Sequence, residues 1–210
     1  MRADNTRAQE RGERTRALVI DETIRCIREE GFAAASTRHI IERAGVSWGV
    51  IQYYFGDRDG LLSAVIDHAF TTLVASLHQL ADTAAEVADP RERAEALTEA
   101  AWTVFFSPTC MTALEILIAT RALRGTLDTE RLAGLSKAIA RIATAIGPTT
   151  SHAEGIANLV WSGPVGMMVA QMVMTDPLPT APEQQALAAL IADHLDARQP
   201  KAPRRRRAAR

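Results

Sequence analysis

Apolar residues recur along this chain at the spacing of an α-helix rather than that of a strand. Near the start, Ile20, Ile24 and Ile27 form an i, i+4, i+7 stripe with charged residues on the opposite face. The sequence has no convincing alternating strand, hairpin signal or internal repeat. The pattern therefore predicts an all-α protein.

Glycines, prolines and polar capping residues divide this pattern into helices. The first helix is predicted from about Arg14 to Glu30. A second runs from Ser36 or Thr37 to Ala44, a third from Ser47 to about Tyr53, and a fourth starts at Asp57 and continues through 61–81. Further helices are predicted over about 90–106, 108–123, 127–146, 152–175 and 181–197, with breaks at the prolines and at Gly125 and Gly147.

Two short helices joined by a glycine-containing turn and preceded by a longer helix are characteristic of a helix-turn-helix. About 130 helical residues follow, enough to bury a separate core. We therefore predict an all-α chain with an N-terminal three-helix helix-turn-helix domain followed by a larger helical domain. The predicted segments are a flexible arm (1–13), the helix-turn-helix domain (14–58), the larger helical domain (59–198) and a basic disordered tail (199–210).

The string STRHIIERAGVSWGVIQYYFGDRDGLLSAV, residues 36–65, closely resembles the N-terminal signature of TetR-like transcriptional regulators. That signature has a Thr-x-x-x-Ile-Ala-x-x-Ala-Gly-Val-Ser stretch, a short helix ending in Tyr-x-x-Phe, and then a polar cap and Leu-Leu. The resemblance spans about residues 14–66, and the rest of the chain resembles the family only in length and helical character. Trp48 stands where the family usually has Lys or a similar polar residue, and Gln52 where it usually has Tyr.

The resemblance implies that the helix-turn-helix domain (14–58) is DNA-binding and that the larger domain (59–198) is a ligand-binding and dimerisation domain. It implies a homodimer whose paired recognition helices enter successive major grooves of a palindromic operator. The half-sites would then lie one helical turn, or a multiple, apart. It also implies repression that a small-molecule effector relieves, although activation stays open. The expected partners are thus double-stranded DNA, an unidentified effector and a second copy of the chain, in the cytoplasm, with no membrane and no cofactor.

A helix N-terminus in the major groove presents its first-turn side chains to base edges and its free N–H groups to phosphate. Ser47 can cap the third helix and bond a phosphate, Val50 can contact a thymine methyl, and Gln52 can pair with adenine. Arg38 is a candidate for a guanine or a phosphate, and the resemblance places Arg58 where a phosphate-contacting Lys is frequent. The predicted DNA-contacting residues are Thr37, Arg38, Ser47, Trp48, Gly49, Val50, Gln52, Tyr53, Tyr54 and Arg58.

Structural interpretations of the same residues stay open at this point. The three helices could form a core with no DNA role, and the aromatic residues at 48–55 could belong to that core. Trp48 either packs on the sugar–phosphate backbone or folds against the first helix. Arg38 and Arg58 could be ordinary solvated charges.

Charge is segregated along the chain although the net charge is only −1. Residues 1–60 have a net charge of zero, residues 61–199 of −7 and residues 200–210 of +6. Contacts with DNA must therefore come from locally placed groups rather than from an overall basic surface. The arginine-rich tail either is a solvated end or adds sequence-independent attraction to phosphate.

Enzyme and metal chemistry find little support in the sequence. No GxSxG, HExxH, P-loop or GxGxxG motif occurs, and the five histidines include no i, i+4 pair. Cys26 and Cys110 lie far apart, which fits a reducing compartment and no zinc pattern. We expect neither an enzyme nor a metal site. The rival classes are an all-α enzyme or ligand carrier and a helical protein-interaction module.

Residues 102–118 are rich in Trp, Phe and Met, as are the walls of apolar ligand pockets. An ordinary packed core has the same composition, so both interpretations stand. The candidate ligand-binding residues are Trp102, Phe105, Phe106, Met111, Leu114, Ile118, Met168 and Met172.

The segment 155–175 contains no charged residue and is long enough to cross a bilayer. Its polar residues, glycines and Pro164 favour a helix that is buried on most sides and kinked at the proline. Gly155, Gly163 and Gly166 would let a neighbouring helix approach closely. Together with the helix at 181–197, this segment is predicted to form a two-fold four-helix interface.

Overall fold

The computed structural model describes residues 2–122, 129–147 and 151–196. Within these residues the chain is helical and contains no strand, which confirms the predicted fold class. A short 3₁₀ helix, Phe32–Ala34, follows the first α-helix. The α-helices are α1 Arg2–Glu30, α2 Thr37–Ala44, α3 Trp48–Phe55, α4 Arg58–Glu86, α5 Pro90–Phe105, α6 Pro108–Ala119, α7 Thr129–Ile146, α8 Ser151–Val173 and α9 Ala181–Asp196.

The predicted helices from residue 90 onward agree with α5 to α9 to within a few residues. Pro90 and Pro108 each stand in the first turn of a helix, where the missing N–H costs no hydrogen bond. Asp89 caps α5 through its carboxylate and Ser107 caps α6 through its hydroxyl. The predicted break at Gly125 and the tail at 199–210 lie outside the described residues.

The prediction for the N-terminus differs from the structure. Helix α1 begins at Arg2 rather than near Arg14, so residues 2–13, which we expected to be a flexible arm, are helical. Pairs at i, i+4 run along this extension: Glu10 lies 3.5 Å from Arg14, and Gln9 donates to Glu13 at 3.2 Å. Each such pair stabilises a helix by about 0.2–0.5 kcal/mol, a small gain that a search for apolar stripes overlooks.

The buried side chains form two clusters. The first joins α1, α2, α3 and the start of α4, and its centre includes Ile20, Ile40, Ile51 and Leu61. The second joins α5, α7, α8 and α9 to the later part of α4. Helix α6 contributes Ile116 to the first cluster and Cys110 to the second, so α4 and α6 connect the two parts of the molecule. The predicted boundary at residues 58–59 lies at the start of α4, whereas the first cluster reaches Ile66.

Two of the described helices, α4 and residues 153–173 of α8, are long and apolar enough to cross a membrane. Helices α5 and α6, bent by 58° at their junction, would count as a third span if taken together. In α4 the apolar residues lie inside the two clusters, so burial within the protein accounts for them. Helix α8 differs, because Leu159, Val169 and Val173 are exposed on it. The expectation that this helix is buried on most sides is therefore wrong for the single chain.

Candidate nucleic-acid interface

The turn between α2 and α3 depends on a polar cap and a glycine. The hydroxyl of Ser36 accepts a hydrogen bond from the backbone N–H of His39 and so caps α2. Gly45 ends α2 at φ 64°, in the left-handed region that favours glycine. Val46 then donates its N–H to the carbonyl of Ile41 at 3.2 Å. These local contacts set the course of the chain into α3.

The turn between α3 and α4 is held equally closely. The Asp57 carboxylate accepts from the N–H of Gly60 at 2.8 Å and caps α4. A Cβ atom on Gly60 would lie 1.9 Å from the carbonyl oxygen of Phe55, so only glycine fits this close approach. Both ends of α3 are therefore fixed by turns, and its orientation is set by the residues that it buries.

Helix α3 faces the core with one side and solvent with the other. Ile51 is completely buried, and Val50 and Phe55 pack against the same cluster. Gln52, the next residue after Ile51, is exposed. The predicted core role of Ile51 and the outward position of Gln52 thus agree with the structure, while Val50 is half-buried at the edge of the core.

The exposed side of α3 carries the residues that we predicted for DNA contact at its first turn. Trp48 is 54% exposed, so its ring lies at the surface and is not folded away against α1. Ser47 and Gly49 are exposed beside it. Ser47 occupies the N-cap position, but its hydroxyl accepts no capping hydrogen bond from α3. That hydroxyl can therefore act as a donor or acceptor at the surface.

The two tyrosines have different surroundings. Tyr53 is 80% exposed, whereas Tyr54 is half-buried. The Tyr54 hydroxyl lies beside the backbone of α1, because a Cβ on Gly12 would come within 2.8 Å of it. The two rings meet edge to face, with 4.8 Å between their centroids. This geometry assigns Tyr54 to the contact between α3 and α1 and leaves Tyr53 free to reach a ligand.

On α2, Thr37 is half-buried and Arg38 is exposed. The side chain of Arg38 is 90% exposed and pairs with Glu42 at 2.9 Å. Such surface pairs stabilise a protein by at most about 1 kcal/mol, so Arg38 can exchange this partner for phosphate.

Arg58 makes its contacts within the protein. Its Nε donates to the carbonyl oxygen of Ala35 at 2.8 Å, and its guanidinium lies 4.9 Å from the centroid of the Phe32 ring. Arg58 thereby fixes the segment that precedes α2. These contacts support a structural role, and the phosphate contact stays a prediction. The sequence offered no signal for them because 23 or more residues separate the partners.

An ion-pair network joins α2 to α1 and was also missed by the sequence analysis. Arg43 pairs with Glu29 at 2.7 Å and with Glu30, and Glu30 lies 2.8 Å from His39. The hydrogen bond with Glu29 is the main reason why the pKa of Arg43 is raised above its ordinary value. The hydrogen bond with His39 is the main reason why the pKa of Glu30 is lowered. The network holds the two helices in register.

One group of potential metal ligands occurs among the described residues. Ligand atoms of Cys26, Glu30 and His39 lie within 4.8 Å of one another. Burial raises the pKa of the Cys26 thiol, and Glu30 already binds both His39 and Arg43. We assign these side chains to the network between α1 and α2, and the expectation of no metal site stays a prediction.

The eight predicted ligand-binding residues do not share one cavity in the described structure. Trp102, Phe105 and Met168 are buried in the second cluster, and Leu114 packs against it. Ile118 is 49% exposed and cannot line an enclosed pocket. The remaining three line a cavity of about 270 Å³ at the junction of the two clusters: Phe106, Met111 and Met172.

The fold and the exposed face of α3 define the class of this protein: a chain that is helical over its described residues and has an N-terminal helix-turn-helix. Residues 19–65 match the model of the family "Bacterial regulatory proteins, tetR family". This match confirms the resemblance seen in the sequence.

Individual relatives agree with this assignment. The chain is 39% identical over 85 residues to the HTH-type transcriptional regulator BetI of Burkholderia ambifaria, and 36% identical over 85 residues to BetI of Burkholderia thailandensis. Each match covers 40% of this chain and 43% of the relative, so the similarity spans less than half the length of these relatives.

Solved structures share the fold over most of the chain. The TetR family regulator PfmR of Thermus thermophilus has a TM-score of 0.60 at 20% identity, covering 83% of this chain and 97% of PfmR. A TetR transcription regulator of Haloarcula marismortui has a TM-score of 0.64 at 19% identity, covering 88% and 98%. The similarity in architecture therefore extends well beyond the helix-turn-helix.

Proposed function

We propose that this protein is a sequence-specific DNA-binding transcriptional regulator that acts in the cytoplasm. The observation that carries the proposal is the exposed first turn of α3. There the Ser47 hydroxyl, Trp48 and Gly49 face solvent, and Gln52 follows one turn later, while Ile51 holds the opposite side in the core. Such a helix end can approach base edges and phosphate together. Its position in a TetR-family segment supports the same conclusion.

The working unit is proposed to be a homodimer formed through α8 and α9. Gly155, Leu159, Gly166, Val169 and Val173 are exposed on α8 at spacings of four, seven, three and four residues, which place them on one face. A Cβ on either glycine would meet no atom of the described chain within 4 Å. This uncovered apolar stripe suits close packing against a second copy.

The third glycine of this helix has a different place. A Cβ on Gly163 would lie 3.4 Å from the Trp102 ring, so Gly163 serves packing within the chain. On α9, Leu190 is 42% exposed and extends the apolar surface.

The solved structures that are similar to this chain include EbrR, a multidrug binding protein solved with imidazole, with a TM-score of 0.53. Binding of a small, largely apolar effector to this chain is proposed on that basis, with release from a palindromic operator as the outcome.

Selection from a random pool of DNA duplexes tests the proposal. A palindromic consensus with half-sites one helical turn, or a multiple, apart is expected. Enrichment of no sequence would contradict it and would favour a ligand carrier or a protein-interaction module.

The dimer is tested separately by sedimentation. Val169→Glu is expected to give monomers, because it places a charge in the proposed interface. Leu18→Glu, at a residue of α1 with similar exposure, is the matched control and is expected to leave the dimer intact. A Val169→Glu protein that stayed dimeric would contradict the proposed interface.

A further inference from the structure

Three side chains that can bind a metal come together where α1 packs against α2. Cys26 and Glu30 lie four residues apart on α1 and so share one face of that helix. His39 lies in the first turn of α2, which the Ser36 cap fixes. One sulfur, one carboxylate oxygen and one imidazole nitrogen of the three residues lie within 4.8 Å of one another. The group therefore joins two helices through three different donor atoms.

These donors match the preferences of a zinc ion. Thiolate, imidazole and carboxylate are the usual protein ligands of Zn²⁺, and three of them with a water molecule complete a tetrahedral site. Bond lengths of ~2.0–2.3 Å place the ligand atoms of such a site about 3.3–3.6 Å apart. Glu30 Oε2 and His39 Nε2 are 2.8 Å apart. Shifts of about 1 Å would therefore fit the three atoms of the group to one ion.

The Glu30 carboxylate can bind an ion without losing its contact with Arg43. Its Oε2 atom faces His39, whereas its Oε1 atom accepts from Arg43 Nη1. An ion at Oε2 would thus replace only the hydrogen bond with His39. Arg43 would remain on the other oxygen and orient the carboxylate, as the outer partners of metal ligands commonly do.

The charges around the group favour a divalent cation. The ion-pair network between α1 and α2 contains the carboxylates of Glu22, Glu29 and Glu30 but only two guanidinium groups among the described residues, those of Arg25 and Arg43. With His39 neutral, the network carries one excess negative charge. A Cys26 thiolate adds a second, because a thiol that coordinates a metal loses its proton. One Zn²⁺ ion would neutralise both charges.

The group opens to solvent through two of its three members. Cys26 is completely buried, but the side chains of Glu30 and His39 are each 36% exposed. Exposed side chains change rotamer within picoseconds to nanoseconds, so their rotation gives an ion a route to the thiol. The other cysteine, Cys110, is buried in the second cluster and belongs to no such ligand group in the described part of the chain.

We propose that Cys26, Glu30 and His39 form a zinc-binding site, with one position left for water, that fastens α2 to α1. In the structure these side chains belong to the ion-pair network, and the same atoms can take an ion. The proposal departs from the expectation of no metal site, because that expectation considered only spacings along the sequence. Zinc binding here concerns the stability of the helix pair and does not depend on DNA binding.

Cobalt(II) is the spectroscopic probe, because it accepts the same ligands as zinc but absorbs light. The reduced full chain, freed of metal with a chelator, is titrated with Co²⁺. One equivalent is expected to bind and to give thiolate-to-cobalt charge-transfer absorption in the near ultraviolet. Zn²⁺ should then remove this absorption, since affinities generally rise from Co²⁺ to Zn²⁺. A titration without charge-transfer absorption would overturn the proposal.

Thermal unfolding measures the effect on the helix pair. Free Zn²⁺ at a hundredfold excess over its Kd should raise Tm by about 5–11 °C for a chain of this length. A Tm that did not respond to zinc would contradict the role of the ion in fastening α2 to α1.

Substitutions identify the ligands. Cys26→Ser should abolish the charge-transfer absorption, whereas Cys110→Ser, at the other buried thiol, should retain it. His39→Gln should weaken cobalt binding by about tenfold or more and reduce the zinc-dependent rise in Tm, and His68→Gln, at an exposed histidine, should change neither. Circular dichroism checks folding, and the half-exposed position of His39 keeps the test valid if Cys26→Ser does not fold. Absorption that persists in Cys26→Ser, or cobalt binding unaffected by His39→Gln, would contradict the assigned site.

Discussion

Two neighbouring residues on α3 are expected to respond to substitution in opposite ways. Ile51 is completely buried, and Ile51→Ala removes three carbon atoms from the first cluster. Truncations of this kind cost about 2–5 kcal/mol, or about 4–20 °C in Tm at ~2–4 °C per kcal/mol for a chain of this length. Because α3 has eight residues, fewer than the ~12–15 that an isolated helix needs, it depends on this packing. Ile51→Ala should therefore weaken binding to every DNA sequence.

Gln52→Ala should leave Tm nearly unchanged, because exposed substitutions alter stability by about 0.5 kcal/mol or less. The substitution should reduce the free energy of DNA binding by about 1–3 kcal/mol at one base pair and relax the base preference there. Thermal unfolding and duplex selection measure the two effects, with Ile51→Val as a mild control of about 0.5–1.5 kcal/mol. A large fall in the Tm of the Gln52→Ala protein, or an unchanged DNA sequence preference, would refute the orientation of α3.

Three further perturbations test other parts of the molecule. Arg58→Ala should lower the free energy of unfolding by about 1–3 kcal/mol through its lost backbone contact. The predicted phosphate contact would also lower the salt slope of DNA binding by about one, and an unchanged slope would contradict that contact. Deleting residues 200–210 should flatten the salt dependence without changing the preferred sequence, and an unaltered slope would leave the tail without a role in binding. Because the pKa of Glu30 is lowered by its hydrogen bond with His39, its contribution to stability is present above the ordinary value of 4.5 and is lost as pH falls through the lowered pKa. In urea unfolding across that pH range, the free energy of unfolding of Glu30→Gln should fall less on acidification than that of the unsubstituted protein. Identical profiles for the two proteins would contradict this role of Glu30.

Much of the fold was accessible from the sequence because the signals are local. Ser36, Gly45 and Asp57 mark helix ends by their own backbone and side-chain chemistry, and the structure places caps at these positions. The i, i+4 spacing of Ile51 and Phe55 likewise predicted which side of α3 faces the core. The outward face of Gln52 follows from the same periodicity.

Other features required contacts between distant residues. The sequence could not predict that Arg58 would bind the segment before α2, or that Glu115 would accept from Phe32 across 83 residues. The apolar composition of 102–118 suggested a pocket, but burial placed Trp102 and Phe105 in a packed core and Ile118 at the surface. Composition is the same for a core and for a cavity wall, and only packing distinguishes them.

The sequence by itself determined the helices, their caps and the amphipathic side of α3, since these depend on residues within one or two turns of each other. The tertiary structure alone decided that α4 and α6 contribute to both clusters and that α8 leaves an apolar stripe uncovered. The physical reason is that burial and hydrogen-bond satisfaction depend on which surfaces meet, and periodicity shows only that a helix has a face to bury.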